Sequence, residues 1–111
     1  MPIIDLRQKH CVPCEGGMPP LNKEQIAHYA PQAPGWTVSA DDKRISRELK
    51  FKDFAEAMKF VNSVAGIAEA EGHHPDLYVF YNLVKLDLTT HAMNGLSEND
   101  FIMAAKINAL V

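Results

Sequence analysis

Residues 53–72 constrain the fold more than any other stretch of this chain. Asp53 stands where a helix N-cap belongs, with Glu56 three residues on as in a capping box, and Gly72 supplies the residue type that closes helices in the left-handed conformation. Between them Phe54, Met58, Val61, Ala65 and Ala68 recur at near-helical spacing, and Ala57 and Val64 widen the stripe. The pattern predicts a helix of roughly five turns. A helix with one apolar side must bury it against another element, so the flanking segments have to provide a surface.

Both flanks carry strand signals. Residues 36–39 (Trp-Thr-Val-Ser) alternate apolar with polar, Asp41-Asp42-Lys43 reads as a turn, and residues 45–51 continue as a hairpin partner with irregular alternation. After the long helix, residues 77–81 are apolar and aromatic, and Val84, Leu86 and Leu88 alternate with Lys85, Asp87 and Thr89. A short helix precedes the first hairpin. Asn22 can cap it with Gln25 three residues on, Ile26 and Tyr29 or Ala30 face inward, and Pro31 and Pro34-Gly35 end it. A last helix begins near Ser97, with Asp100 at its third position.

The order helix-strand-strand-helix-strand-strand-helix implies an α+β fold: a four-stranded antiparallel sheet with three helices packed on one face. No sequence repeat accompanies the two similar halves. Residues 1–20, dense in Gly and Pro, read as an irregular extension outside the core, and residues 21–111 as a single domain. A sheet edge left open on so small a domain favours pairing with a second copy, so a homodimer or homotetramer is expected.

With 111 residues there is room for one core and not two, and a formal net charge of −3 gives no reason to expect nucleic acid or an anionic membrane as partner. No apolar run approaches the ~20 residues of a membrane span. The first ten residues lack the apolar stretch and cleavage site of a secretory signal, which favours a cytoplasmic, reducing setting. His10-Cys11-Val12-Pro13-Cys14 therefore offers two or three soft ligands, whereas structural zinc takes four and no second Cys-x-x-Cys exists. A thioredoxin-like role would need the motif at a strand-to-helix junction. The segment reads as a solvated tail, with a metal site completed between subunits as the alternative.

Chemistry concentrates elsewhere. Glu69, His73, His74 and Pro75, then His91 and Asp100, bring three of the five histidines and two carboxylates into about thirty residues. Imidazole gives and takes protons near neutrality, so such a cluster suits acid–base work. Glu69, four residues before His73, is placed to orient that imidazole, and strand alternation puts His91 on the Lys85/Asp87/Thr89 face. Bland roles exist for each. The His-His pair can cap carbonyls in a loop, Asp100 can complete a capping box, Tyr81 can be a core aromatic, Pro75 can fix a turn, and Met93 can fill a gap or line a slot for a flat ring. A catalytic metal is the weaker option, because neither the i, i+4 histidine pair nor paired Cys-x-x-Cys units occur here.

The spacing Glu-x3-His-His-Pro-x5-Tyr-x9-His-x8-Asp, carried by Glu69, His73, His74, Pro75, Tyr81, His91 and Asp100, resembles the signature of the pterin-4a-carbinolamine dehydratases. The likeness extends from Phe51 to Asn108, including Thr90-His91 and Gly95-Leu96-Ser97, and Pro34-Gly35-Trp36 resembles the entry to that family's first hairpin. The Cys-x-x-Cys extension is similar to that of some bacterial members and lies outside the core pattern. The resemblance implies a hydro-lyase that dehydrates 4a-hydroxytetrahydropterin to quinonoid dihydropterin, with no metal or bound cofactor, in pterin recycling beside an aromatic amino acid hydroxylase. It implies catalytic roles for His73, His74 and His91, the first and last as acid–base residues flanking the pterin and His74 chiefly holding the ring. Glu69, Pro75, Thr90, Ala92, Met93 and Asp100 would support or line the substrate pocket. Two alternatives stay open: a non-catalytic dimerisation module of the coactivator type, and a role in molybdenum-cofactor metabolism.

Overall fold

The computed structural model describes residues 5–12 and 18–111. Asn22 caps α1 (Lys23–Tyr29) in a reciprocal capping box, Gln25 donating its N–H to the Asn22 side chain and accepting the Asn22 N–H, both at 2.9 Å. A 3-10 turn at Ala30–Gln32 carries the chain past Pro31. β1 (Thr37–Val38) and β2 (Ile45–Lys50) form the first hairpin, and β1 is shorter at both ends than the alternating pattern predicts. α2 spans Phe54–Glu71, with Asp53 accepting the Glu56 N–H at 2.9 Å. β3 (Asp76–Phe80) and β4 (Leu83–Leu88) follow, then α3 (Glu98–Asn108).

The strands form one antiparallel sheet in the order β1-β2-β4-β3. The central pair, β2 and β4, comes from different hairpins, so the sheet joins the two halves of the chain along the full length of both strands. Leu49, Val84, Leu86 and Leu88 pack into a core shared with Phe60 and Val64 of α2 and Phe101 and Ile102 of α3. This is the α+β arrangement the element order implies. Among the described residues no helix is long and apolar enough to cross a membrane.

Three expectations need correction. The buried face of α2 is Ala57, Phe60, Val64 and Ala68, while Phe54 is half exposed and Ala65 is exposed. Apolar residues occupy so much of this helix that periodicity establishes the helix without fixing its rotation. Ala57, Val64 and Ala68 lie on the predicted stripe; Phe60, whose ring centroid is 5.0 Å from that of Phe51, replaces Phe54 and Ala65 on the buried side. Tyr81 is not a core aromatic but sits in the β3–β4 turn at φ +52°, two-thirds exposed.

The third concerns the amino-terminal segment. Its described part, residues 5–12, is not an extension outside the core. A 3-10 turn at Leu6–Gln8, capped by Asp5, packs on α3, and Leu6 is 2% exposed within the core cluster. Cys14 lies outside the described residues. Leu6→Ala should therefore lower unfolding stability by ~2–4 kcal/mol. Urea denaturation would read this as an earlier midpoint, and an unchanged midpoint would return the segment to a surface role.

Candidate active site

The site begins where α2 ends. Gly72 takes φ +67° and donates its N–H to Ala68 O at 2.9 Å, closing the helix and turning the chain so that His73 leaves the helical path. His73 Nε2 then lies 2.6 Å from Asp100 Oδ1, with the imidazole 13% exposed and the carboxylate fully enclosed. The other oxygen, Oδ2, accepts the Ser97 N–H at 2.9 Å and the Thr90 hydroxyl at 2.8 Å. Thr90 Oγ1, having given its hydrogen to Asp100, accepts from Ser97 Oγ at 2.7 Å. Asp100 thus does both jobs that sequence left as alternatives: one oxygen caps α3 and the other holds the histidine.

With Nε2 engaged by Asp100, Nδ1 is the ring nitrogen left for chemistry. The loop that follows β4 brings in the third imidazole. Thr90 and Gly95 bridge across a turn in which His91–Met93 form a 3-10 segment, with Asn94 closing it in the left-handed region. Because β4 stops at Leu88, strand alternation does not reach His91. Its position is set by this turn instead. A Cβ on Gly95 would approach Pro20 Cβ to 2.6 Å, so the turn admits no side chain there.

His73, His74 and His91 line one cleft of about 650 Å³, together with Glu69, Thr90 and Ala92. Asp100 lies behind it, reaching it through His73. Pro75 and Met93, both half-buried, and Tyr81 fall outside the lining. Glu69 does not orient His73. Its Oε2 is 3.7 Å from His74 Nε2, a loose and exposed contact, because at the helix end the chain has already turned away from the i+4 direction.

Cys11, Val12, Glu71 and Asn99 also line the cleft and were not among the site residues the sequence offered. Glu71 and Asn99 sit next to the recognised motif, yet their neighbours' chemistry gave no sign of what they hold. Glu71 Oε1 accepts the Cys11 N–H at 2.7 Å and Oε2 meets His10 Nδ1 at 2.9 Å. Asn99 accepts the Val12 N–H at 3.0 Å and donates to Val12 O at 2.6 Å. Burial pushes the Cys11 thiol up to about 12, with the negative charges of Glu71 and Asp100 acting in the same direction. Such a thiol stays protonated and unreactive at neutral pH. The solvated-tail reading therefore fails at Cys11. Among the described residues no three His, Cys, Asp or Glu side chains are grouped to hold a metal ion.

Fold and site together define a small α+β protein whose cleft gathers imidazoles, one of them fixed by an enclosed carboxylate, in an arrangement suited to moving protons on a bound organic molecule. Residues 19–110 match the family model for pterin 4 alpha carbinolamine dehydratase, and the chain belongs to that family. Over 110 residues it is 49% identical to a protein of Nitrosomonas eutropha named provisionally as a pterin-4-alpha-carbinolamine dehydratase, covering 98% of this chain and 96% of that one. A relative from Nitrosospira multiformis, named in the same way, is 51% identical over 97% of this chain and 94% of its own. The crystal structure of a transcriptional coactivator/pterin dehydratase from Brucella melitensis superposes with a TM-score of 0.78 at 36% identity, covering 82% of this chain and 97% of that one. A pterin dehydratase-like protein identified as a RuBisCO assembly factor in the alpha-carboxysome shares the fold, with a TM-score of 0.60 at 20% identity over 71% of this chain and 92% of its own.

The carboxylates beside the cleft make the amino-terminal wall acid-sensitive. Burial alone would raise Glu71, but the bonds from His10 and the Cys11 N–H outweigh it and hold the carboxyl below the usual glutamate range. Glu98 behaves likewise: burial is opposed by Lys9 at 2.7 Å and the Tyr29 hydroxyl at 2.7 Å, and its pKa is lowered. A depressed folded pKa gives stabilisation that is complete above the unfolded value, about 4.3, and disappears as pH falls through the lower folded value. Amide-exchange protection at Cys11 should therefore be lost on acidification below about pH 4.3, before protection in β4 is lost. Simultaneous loss in both places would show that the wall does not respond separately.

Proposed function

We propose that this protein dehydrates a 4a-hydroxytetrahydropterin to the quinonoid dihydropterin and water by acid–base catalysis from its histidines. The observation that carries the reading is the Asp100–His73 pair opening into a cleft shared with His74 and His91. One imidazolium gives its proton to the hydroxyl on C4a, which leaves as water. One neutral imidazole takes the proton from N5, whose electron pair forms the new C=N bond. The balance is substrate to product plus water, with no electrons gained or lost, so the reaction calls for no redox cofactor. His73 and His91 are the acid–base pair in this reading, and His74, beside Glu69, holds the ring.

Thr90 and Ala92 line the pterin site. Pro75 and Met93 act behind it, shaping the turns that carry His74 and His91. The protein is proposed to work in the cytoplasm without metal or cofactor, in pterin recycling next to an aromatic amino acid hydroxylase. Tyr78 and Phe80, exposed on β3 at the sheet edge, support assembly as a homodimer or homotetramer. The alternative of a non-catalytic binding module predicts no turnover of carbinolamine and a stable hetero-complex instead.

The test is a spectroscopic dehydration assay on synthetic carbinolamine, corrected for the uncatalysed rate. Replacing both His73 and His91 by alanine should reduce kcat by ~10²-fold or more while dihydropterin binding weakens far less. Equal losses in the two quantities would make them binding groups. A wild-type protein without turnover would overturn the reading.

A further inference from the structure

The wall formed by Cys11 and Val12 is held by Glu71 and Asn99, chiefly through its backbone, with the Cys11 thiol donating to Asn99 O at 3.7 Å. Glu71 takes the Cys11 N–H, and Asn99 takes the Val12 N–H while returning its own amide hydrogen to Val12 O, at 2.7, 3.0 and 2.6 Å. Both anchors are enclosed, the Glu71 side chain 8% exposed and Asn99 4%. They are also adjacent to the parts that hold His73. Glu71 lies two residues before His73, and Asn99 immediately before Asp100. The strand-like clamp at Asn99 leaves the Val12 side chain to face outward, and it is 66% exposed while lining the cleft. The rest of the lining consists of imidazoles, carboxylates, hydroxyls, an amide, a thiol and residues no larger than alanine. Among the described residues Val12 is its one branched aliphatic side chain.

A flat heterocycle needs polar partners at its edge and apolar contact against its face. The histidines, Glu69 and Thr90 supply polar contacts, and among the described lining residues Val12 offers the largest aliphatic surface to a ring that His73 and His91 flank. We propose that Val12 is a substrate-positioning residue, presented to the cleft by Glu71 and Asn99, and that it sets how tightly a planar bicyclic substrate is held. This inference rests on the dehydratase reading and adds to it a residue outside the sequence signature. Because the contact is with an unreacting face, it is equal in ground and transition states and belongs in KM rather than in kcat.

Val12→Ala should raise KM for the carbinolamine, and Kd for 7,8-dihydropterin as a non-reacting probe, by roughly three- to tenfold, the worth of one to two partly buried methylene groups. kcat should stay within about twofold, and Val12→Ile should retain affinity. Glu71→Ala should accelerate amide exchange at Cys11 and raise the same Kd, with far-UV circular dichroism confirming that the domain is folded. Val12→Ala added to Glu71→Ala should then cost little more, since both remove one contact. Unchanged Kd in Val12→Ala, or released Cys11 exchange in Glu71→Ala without weaker binding, would overturn the inference while leaving the catalytic reading intact. A wild-type protein that neither binds the dihydropterin nor turns over the carbinolamine would end both.

Discussion

Asp100 has no exposed surface, and an enclosed carboxylate persists only when both of its oxygens are answered by donors. Its partners arrive from three directions. Ser97 comes from the start of α3, Thr90 from the loop after β4, and His73 from the exit of α2. One side chain therefore fixes the relative placement of two helix ends and a turn, which is the placement of the cleft itself. The same bond that positions His73 satisfies part of the Asp100 desolvation cost, so site geometry and local stability share one cause. No buried side-chain nitrogen or oxygen among the described residues lacks a partner.

A domain of this size buries a modest fraction of its surface, so segments at its margins are drawn into the core. Leu6 fills space against α3, and Lys9 and Tyr29 both reach the Glu98 carboxylate, tying the amino-terminal segment and α1 to the first turn of α3. Tyr29 stacks on Phe101 at 5.5 Å between centroids, and burial helps push its hydroxyl up to about 12, where it remains a donor to Glu98. The first turn of α3 is consequently the junction of the molecule. Glu98 receives the amino-terminal segment and α1, Asn99 clamps Val12, and Asp100 holds His73.

Much of this was legible in the sequence where local chemistry is strong. Asn22 with Gln25, Asp53, Gly72 and Ser97 with Asp100 mark helix ends because capping is a short-range property of a few side-chain atoms. The histidine cluster was visible because its members are rare and close together. What stayed hidden depends on long-range contact. The rotation of α2 is decided by Phe51 and Phe60, the partner of His73 by a residue 27 positions away, and the role of residues 10–12 by Glu71 and Asn99, some 60 and 87 positions on. Residues 9–12 are irregular backbone, and irregular backbone packs as well as regular backbone does when enclosed side chains accept its N–H groups.

The two proposed proton-transfer residues differ in exposure in a way that matters for turnover. Each dehydration leaves the acid one proton short and the base with one too many, so the pair must be reset through solvent before the next cycle. His73, nine-tenths enclosed and with Nε2 committed to Asp100, keeps one ring nitrogen and one orientation for the substrate. His91 is exposed on a short 3-10 turn, where water reaches it once product leaves. A fixed imidazole sets the geometry of transfer and an open one restores the protonation state. Enclosing both would slow the reset, and exposing both would lose the alignment, so a cleft with one of each satisfies two requirements that a single environment does not.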